Sequence, residues 1–449
     1  MRHHVNKSRA IRFAVGAAVV FGAIGCKDIL SVQNPQAFTD AAANSAVLLP
    51  AVAAGAEGDM QVSISSLATM TGMLSDEFWH TGTWADWLDV SNGVIRKNWP
   101  FNGAFTAPEN SMLRARGTAE AASRRFENVM KDSAHTSPLF ITSEMARAWA
   151  DLELAMSVCQ IPSTAGAAMV SDTVLFKQSA DTLAALLSLI QAAHYVKDAD
   201  RQARLNQARA GLARANLMLG NYSAALSYAQ QVPAGFRYDA VYSNNSAFQN
   251  NQMANQGNSN YNRSFSIRAD VWRPLIDTVA FALRDKFSGL PDQRVQLGHD
   301  NNNSHGYARG SDGVSPFFSI NKYPSYSSPI ALSKYEEMNL IVAEVKWRNG
   351  DNQGAVDALN VNRRLPGVAL PDLTVPTSGD VSTQIRDMIL QERFAVLFGE
   401  GSRMQDLYRF GLVTQRLGAG RATKLPLSRT EELTNVHIGE GKETCPAIS

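Results

Sequence analysis

The chain has 449 residues, of which 45% are hydrophobic and 18% charged, and its formal net charge is +1. This balance argues against a disordered or coiled-coil chain, and the length allows a large core without metals or disulfides. The first 25 residues carry four basic and no acidic side chains, so the remainder sums to −3 and offers no basic field for nucleic acid.

The amino terminus has the pattern of a processing signal. Residues 1–12 are basic, and residues 13–25 form an apolar run that stops at Cys26. The run is too short to span a bilayer as a helix, and its end, "AIGC", resembles the bacterial lipobox. We therefore predict a lipoprotein signal peptide over 1–25 and attachment of a fatty acyl chain such as palmitate at Cys26, the alternative being an ordinary buried or unprocessed cysteine. Residues 26–38 are predicted to be an extended tether.

The rest of the chain, residues 39–449, is predicted to be a single all-α domain. Apolar residues recur at helical spacing, whereas strand-like alternation is scarce. The first helix begins after a cap at Thr39 or Asp40 in an alanine-rich segment. Further helices are expected near 109–132, 140–159, 172–196, 200–219, 222–232, 268–287, 331–349, 351–363 and 380–399.

Four of the seven tryptophans lie in one stretch, residues 75–102. Indole faces stack on the CH-rich faces of sugar rings, and neighbouring carboxylates and amides bind hydroxyl groups. The same aromatic side chains could equally pack in the core or against a partner protein. The candidate ligand contacts in this stretch are Trp79, Trp84, Asp86, Trp87 and Trp99.

Two helical pairs have the spacing of tetratricopeptide units, at 208–233 and 335–367. Small residues there allow two antiparallel helices to approach, and a glycine closes the first helix of each pair. Polar segments at 244–266 and 296–329 separate these pairs and are predicted to be long irregular inserts, either functional or disordered.

Catalytic and metal-binding motifs are missing from the sequence. It contains no HExxH, GxSxG or phosphate-binding loop, and its three cysteines lack the spacing of zinc ligands. We therefore predict no enzymatic activity, no cofactor and no metal. If Cys26 carries a lipid, Cys159 and Cys445 remain, either as one disulfide or as two free thiols.

A family resemblance rests on the stretch "ILQERFAVLFGEGSRMQDLYRFG", residues 389–411. It resembles the signature of the SusD/RagB family of outer-membrane nutrient-binding lipoproteins. The start "CKDILSVQNP" is similar to the mature start of the same family, and Val396 departs from the usual glutamate. The matching residues to which we assign a structural role are Glu392, Arg393, Glu400, Gly401, Arg403, Asp406 and Leu407.

The charged residues of this signature are predicted to stabilise the fold. Glu400, Arg403 and Asp406 follow one another at intervals of three, which predicts a local network around the turn at Gly401. An alternative is a metal or acid/base cluster formed by Glu392, Glu400 and Asp406.

The resemblance implies a SusD-like α-superhelix with tetratricopeptide-like pairs and long loop inserts. It also implies a lipid-anchored protein on the outer face of the outer membrane. Such a protein captures an oligosaccharide or peptide and delivers it to a SusC-like TonB-dependent β-barrel, without a chemical step. The alternative function is a tetratricopeptide-type lipoprotein scaffold that binds no small ligand.

Overall fold

The computed structural model describes residues 44–94, 103–298 and 308–438. Cys26, the tether, the caps at Thr39 and Asp40, Trp99 and Cys445 lie outside the described residues. The described residues from Leu49 onward form one compact unit, and a 3-10 turn at Ala46–Leu48 belongs to a separate one.

Helices dominate the part of the chain that the structure describes, as the all-α prediction requires. Ser137 and Ser171 cap two of them through side-chain oxygens that accept backbone N–H groups, the usual way to satisfy a helix start. The α-helices are α1 Leu49–Leu74, α2 Ala85–Asn92, α3 Gly103–Met130, α4 Pro138–Ser157, α5 Asp172–Ala192, α6 Asp198–Met218, α7 Tyr222–Gln230, α8 Gln252–Gly257, α9 Ala269–Trp272, α10 Tyr335–Arg348, α11 Asn352–Arg363, α12 Val381–Val396, α13 Arg403–Arg409, α14 Val413–Leu417 and α15 Arg429–Thr434.

Helix α1 lies at the centre and packs against α3 and α4. From Met60 to Leu74 most of its residues are buried, including several hydroxyl-bearing ones. The Ser63, Thr69 and Thr71 hydroxyls donate to the carbonyl oxygens four residues earlier, so their burial leaves no donor unpaired. This arrangement allows nearly the whole circumference of α1 to enter the core.

Both predicted helical pairs are confirmed. Helices α6 and α7 form the first pair and α10 and α11 the second, and each turn contains a glycine with positive φ, Gly220 at +75° and Gly350 at +80°. The pairs pack on each other through a shared apolar cluster that includes Ala213, Ala225 and Ile341.

Short antiparallel strands connect the helical units. The strands are β1 Phe78–His80, β2 Gln160–Pro162, β3 Met169–Ser171, β4 Arg237–Ala240, β5 Phe265–Ile267, β6 Ile276–Asp277, β7 Ala282–Arg284, β8 Pro291–Gly298, β9 Ala308–Arg309, β10 Pro316–Phe317, β11 Ser319–Ile320 and β12 Ile330–Lys334. Four of them form a sheet in the order β11-β8-β7-β6, and the pairs β1-β5, β2-β3, β4-β12 and β9-β10 form two-stranded ladders.

The helix predicted over 268–287 is wrong. Only Ala269–Trp272 is α-helical, and it is followed by a 3-10 turn, Arg273–Leu275, that contains Pro274. Asp277 then caps a turn by accepting the N–H groups of Val279 and Ala280. The apolar residues that follow pair as β7 with β8. The inserts predicted to be irregular are therefore partly ordered into strands and short helices.

Helix α5 is long and apolar enough to cross a membrane by length and composition. Its Leu175, Leu183 and Ile190 are buried, and α4 and α6 pack on it, as expected of a core helix in this domain. Cys159 is disulfide-bonded, so the alternative of a free thiol does not apply to it.

Candidate ligand-binding site

Trp79 is positioned by a short antiparallel ladder. Strand β1 pairs with β5 so that Trp79 lies opposite Ser266. Successive side chains of a strand point to opposite faces. The side chain of Trp79 therefore points to one face, and those of Phe78 and His80 point to the other, where both are buried.

An open cleft of about 670 Å³ contains the Trp79 side chain. Its walls come from β1, β5, the α9 region and the strand β10, and they combine apolar surface with a few polar groups, as ligand sites commonly do. The lining residues are Trp79, Thr81, Ile267, Ala269, Asp270, Arg273, Pro274, Ser315 and Pro316. We call this the Trp79 cleft.

Arg268 fixes the indole of Trp79. Its guanidinium carbon lies 4.7 Å from the ring centroid, a cation–π distance. The same guanidinium donates to the carbonyl oxygens of Ser75 and Ser91 and lies 3.2 Å from the Asp270 carboxylate. These contacts hold the indole in place before any ligand arrives.

Trp84 and Trp87 form a separate aromatic cluster at the start of α2. Their ring centroids are 4.8 Å apart, and His80 lies against both. The backbone N–H of Trp84 donates to Nε2 of His80 at 3.1 Å, and burial lowers the pKa of His80 to about 4, so the imidazole is neutral at pH 7. Trp84 keeps 45% of its surface exposed.

The predicted ligand-contacting residues are therefore not all brought together. Trp79 lines the cleft, whereas Trp84 and Trp87 do not; Asp86 lies in the first turn of α2, where its Oδ1 accepts the N–H of Trp87. A ligand contact by Trp84, Asp86 or Trp87 stays a prediction, and Trp99 lies outside the described residues.

The carboxylates just before Trp79 belong to the core. Asp76 and Glu77 are fully buried. Asp76 accepts two hydrogen bonds from Arg403, at 2.6 and 2.8 Å, and Glu77 accepts the N–H of Gly399 at 2.8 Å. Burial raises the pKa of Glu77 to about 8. The carboxy-terminal signature thus holds the segment that carries Trp79.

The other signature charges are also buried and paired. Contrary to the local-network prediction, Glu400, Arg403 and Asp406 do not pair with one another. Glu400 and Arg403 pair with distant elements, whereas Asp406 pairs with Arg393 and Arg409 of the same signature. Intervals of three place neighbouring side chains close together without deciding which partner each one meets. The pairs are Glu392 with Arg294 at 2.6 Å and Arg363 at 2.5 Å, Arg393 with Asp406 at 2.8 Å, Asp406 with Arg409 at 2.7 Å, and Glu400 with Lys322 at 2.8 Å and Lys334 at 2.5 Å.

The two uncharged signature residues shape the backbone around these pairs. Gly401 has a φ of +78°, and a Cβ there would come within 3.3 Å of Ala68 on α1. Leu407 is fully buried in the main core. Within the described residues, no group of three histidine, cysteine or acidic side chains is arranged to hold a metal ion.

The sequence did not reveal the walls of the Trp79 cleft. Arg268, Asp270 and Arg273 belong to a segment predicted to be helical, and Ser315 to a polar insert. The run "NRSFSIR", residues 262–268, was the available signal, since its alternation of apolar and polar residues indicates a strand that can pair with β1.

Comparisons with known proteins agree with this architecture. The SusD family model matches residues 239–436. A SusD superfamily protein from Bacteroides thetaiotaomicron is similar in fold, with a TM-score of 0.63 at 16% identity over 89% of this chain and 98% of that one. A SusD superfamily protein from Bacteroides fragilis gives 0.60 at 13% identity, over 87% and 99% of the two chains.

A SusD-like carbohydrate binding protein from Bacteroides vulgatus gives a TM-score of 0.58 at 14% identity, over 81% of this chain and 83% of that one. No curated protein matches the chain. The family model covers the signature charges and the cleft walls from β5 to β10, whereas Trp79 and Thr81 precede it, and the folds agree over most of the chain. Residues 239–436 match the SusD family, and the chain has a SusD-like fold.

Proposed function

We propose that this protein is a surface lipoprotein of the outer membrane that binds an oligosaccharide in the Trp79 cleft and delivers it to a SusC-like TonB-dependent barrel. The observation that carries the proposal is an indole held at the wall of an open cleft by Arg268. A protein of similar fold is described as carbohydrate binding, which supports the ligand class.

The lining of the cleft fits a sugar better than a purely apolar ligand. An indole face offers stacking surface for the CH groups of a sugar ring, while Thr81, Asp270 and Ser315 supply hydrogen-bonding groups around it. Arg273 adds a further donor. The proposal assigns binding and delivery to the cleft, without a chemical step.

Replacing Trp79 with alanine is expected to weaken oligosaccharide binding at least tenfold, equivalent to about 1.4 kcal/mol, because the stacking surface is lost. The measurement is a glycan microarray followed by calorimetry on the detergent-solubilised full-length protein. Because the half-buried indole also packs on Arg268, the melting temperature is measured too, and the affinities are compared at a temperature where the variant remains folded.

Trp84→Ala is the matched control, because Trp84 is an exposed tryptophan outside the cleft. It should leave the affinity unchanged. Loss of binding in Trp84→Ala but not in Trp79→Ala would move the site to α2. Absence of binding to every glycan, together with failure to recover a large β-barrel with the protein from native membranes, would favour a scaffold without a small ligand.

Membrane attachment is proposed to run through a lipid on Cys26, the residue at which the amino-terminal apolar run ends. The disulfide at Cys159 supports passage through an oxidising compartment, as expected of an exported protein.

Cys26→Ser should abolish labelling by a fatty acid analogue and release the protein from the membrane fraction. Ser31→Ala is the control, because it changes a nearby residue of the predicted tether without removing the acylation site or a disulfide. Unchanged membrane retention of Cys26→Ser would show that Cys26 is not the anchor.

A further inference from the structure

A second cleft, larger than the first, lies on the outer side of α1. Its volume is about 1120 Å³, and its walls come from α1, α3 and the segment 241–252. The part of α1 that lines it is centred near Gln61, about 20 Å along the helix axis from the end of α1 at Leu74, where the chain leads into β1. The cleft is therefore separate from the Trp79 cleft, and we call it the Phe248 groove.

Phe248 stands in this groove with 88% of its surface exposed. It belongs to a 3-10 turn, Ala247–Gln249, which is tied down at both ends because Gln249 N–H donates to Ser246 O and Ser243 N–H donates to Gln249 O. The next residue in the wall, Gln252, donates its N–H to the Ser65 hydroxyl of α1. An ordered turn thus presents an aromatic ring to solvent beside an open cleft.

The rest of the lining is mixed and almost uncharged. It combines small apolar side chains, such as Val62 and Val241, with amide and hydroxyl groups. Among the described residues of the lining, the charged ones are Asp59 and Arg114, which are of opposite sign. Gln61 accepts the N–H of Val241 through Oε1, which orients its amide along the groove wall. The amide and hydroxyl side chains of the lining are Gln61, Gln249, Gln252, Ser63, Ser66, Ser111, Ser243 and Ser246.

The floor of the groove has room for a ligand. Gly55 and Gly58 lie on α1, and a Cβ built on either would have no atom within 4 Å. Glycine inside a helix costs roughly 1 kcal/mol relative to alanine, and α1 carries two where a side chain would fit without a clash. The sequence of this helix therefore leaves space at the expense of helix stability.

We infer that the Phe248 groove is a second binding site for a neutral oligosaccharide, a conclusion that rests on the proposed function of the Trp79 cleft. One exposed aromatic face, a row of amide and hydroxyl groups and a balanced charge match the alternating CH faces and hydroxyl groups of an uncharged sugar chain. An acidic ligand would meet a single arginine opposed by Asp59, and a purely apolar ligand would not use the amide and hydroxyl groups of the walls.

Calorimetry tests the inference through stoichiometry. The probes are maltotriose, xylotriose, mannotriose and chitotriose, used with the full-length protein in detergent, and the wild type should bind two molecules of at least one of them. Phe248→Ala and Trp79→Ala should each bind one, and the double variant none. Phe287→Ala is the control, since it removes a partly exposed phenylalanine that lines neither cleft.

Gly58→Leu separates binding from folding, because the leucine enters open space in the groove and raises helix propensity. Its melting temperature should be unchanged or higher, while its stoichiometry falls to one. A wild-type stoichiometry of one that only Trp79→Ala abolishes would overturn the second site and leave the proposed function standing. No binding of any probe by the wild type would overturn both.

Discussion

Replacing Arg403 with methionine is expected to lower the free energy of unfolding by about 3–5 kcal/mol, because it strands the buried carboxylate of Asp76. Both oxygens of Asp76 accept hydrogen bonds from Arg403, and neither side chain reaches solvent to a useful extent. Methionine keeps roughly the volume of the side chain but removes its charge, and with it the cation–π contacts of the guanidinium with Trp272 and Phe394. The measurement is urea denaturation at pH 7.

Arg364→Met is the matched control for this variant. Arg364 also pairs with an aspartate, Asp372, but the two side chains are 61% and 43% exposed, so solvent screens the pair and little stability should be lost. Adding Asp76→Asn to Arg403→Met should return part of the lost stability, because an amide needs no counter-charge. Equal losses for Arg403→Met and Arg364→Met would contradict a stabilising role for the buried pair.

Arg403→Met also tests whether the carboxy-terminal signature supports the ligand site. Asp76 lies three residues before Trp79, and its carbonyl oxygen accepts the indole N–H of Trp272 at 2.6 Å. The strand that carries Trp79 therefore begins directly after a segment that Arg403 fixes through its ion pair with Asp76. Arg403→Met should weaken oligosaccharide binding even at a temperature where the variant remains folded.

Local sequence patterns predicted the helical part of the fold well. Two errors show where these patterns fail. The sequence did not predict helix α2, which is only eight residues long and follows Trp84, whose N–H donates to His80. The helix predicted over 268–287 is wrong because part of that segment, β7, pairs with β8 at 291–298. Helical periodicity is a local property, whereas strand pairing is not.

The ion pairs of the signature charges are another feature that local sequence patterns predict only in part. The sequence predicted that these charges stabilise the fold, and in the structure Glu392 and Arg393 are buried. It did not predict their partners, since Arg403, for example, pairs with a residue 327 positions away. In the binding site, sequence composition identified Trp79, but only tertiary structure separates it from Trp84 and adds Arg268.

Glu400→Met is expected to destabilise the protein by about 3–5 kcal/mol at pH 6, because it removes the carboxylate that Lys322 and Lys334 share. Both ammonium groups would then keep only carbonyl partners, those of Phe398 and Val396. The three charged side chains are at most 20% exposed, so water cannot replace the lost carboxylate.

The loss should shrink as the pH rises. Burial already lowers the pKa of Lys322 to about 8 against the opposing effect of Glu400, so removing Glu400 lowers that pKa further. A lysine with a depressed pKa in the folded state holds fewer protons there than when unfolded, and the free energy of unfolding therefore rises with pH. In Glu400→Met this rise begins at a lower pH than in the wild type, and the deficit should be largest at pH 6 and clearly smaller at pH 9.

The comparison uses the difference between variant and wild type at each pH, because Glu77, with a pKa near 8, titrates in both proteins. Asp181→Asn is the control: it breaks an exposed pair with Lys177 and should cost little at any pH. Combining Lys322→Met with Glu400→Met removes one of the two stranded charges and should restore part of the stability at pH 6 while flattening the pH dependence. A deficit in Glu400→Met that is the same at pH 6 and pH 9 would show that the lost stability comes from packing rather than from the two buried ammonium groups.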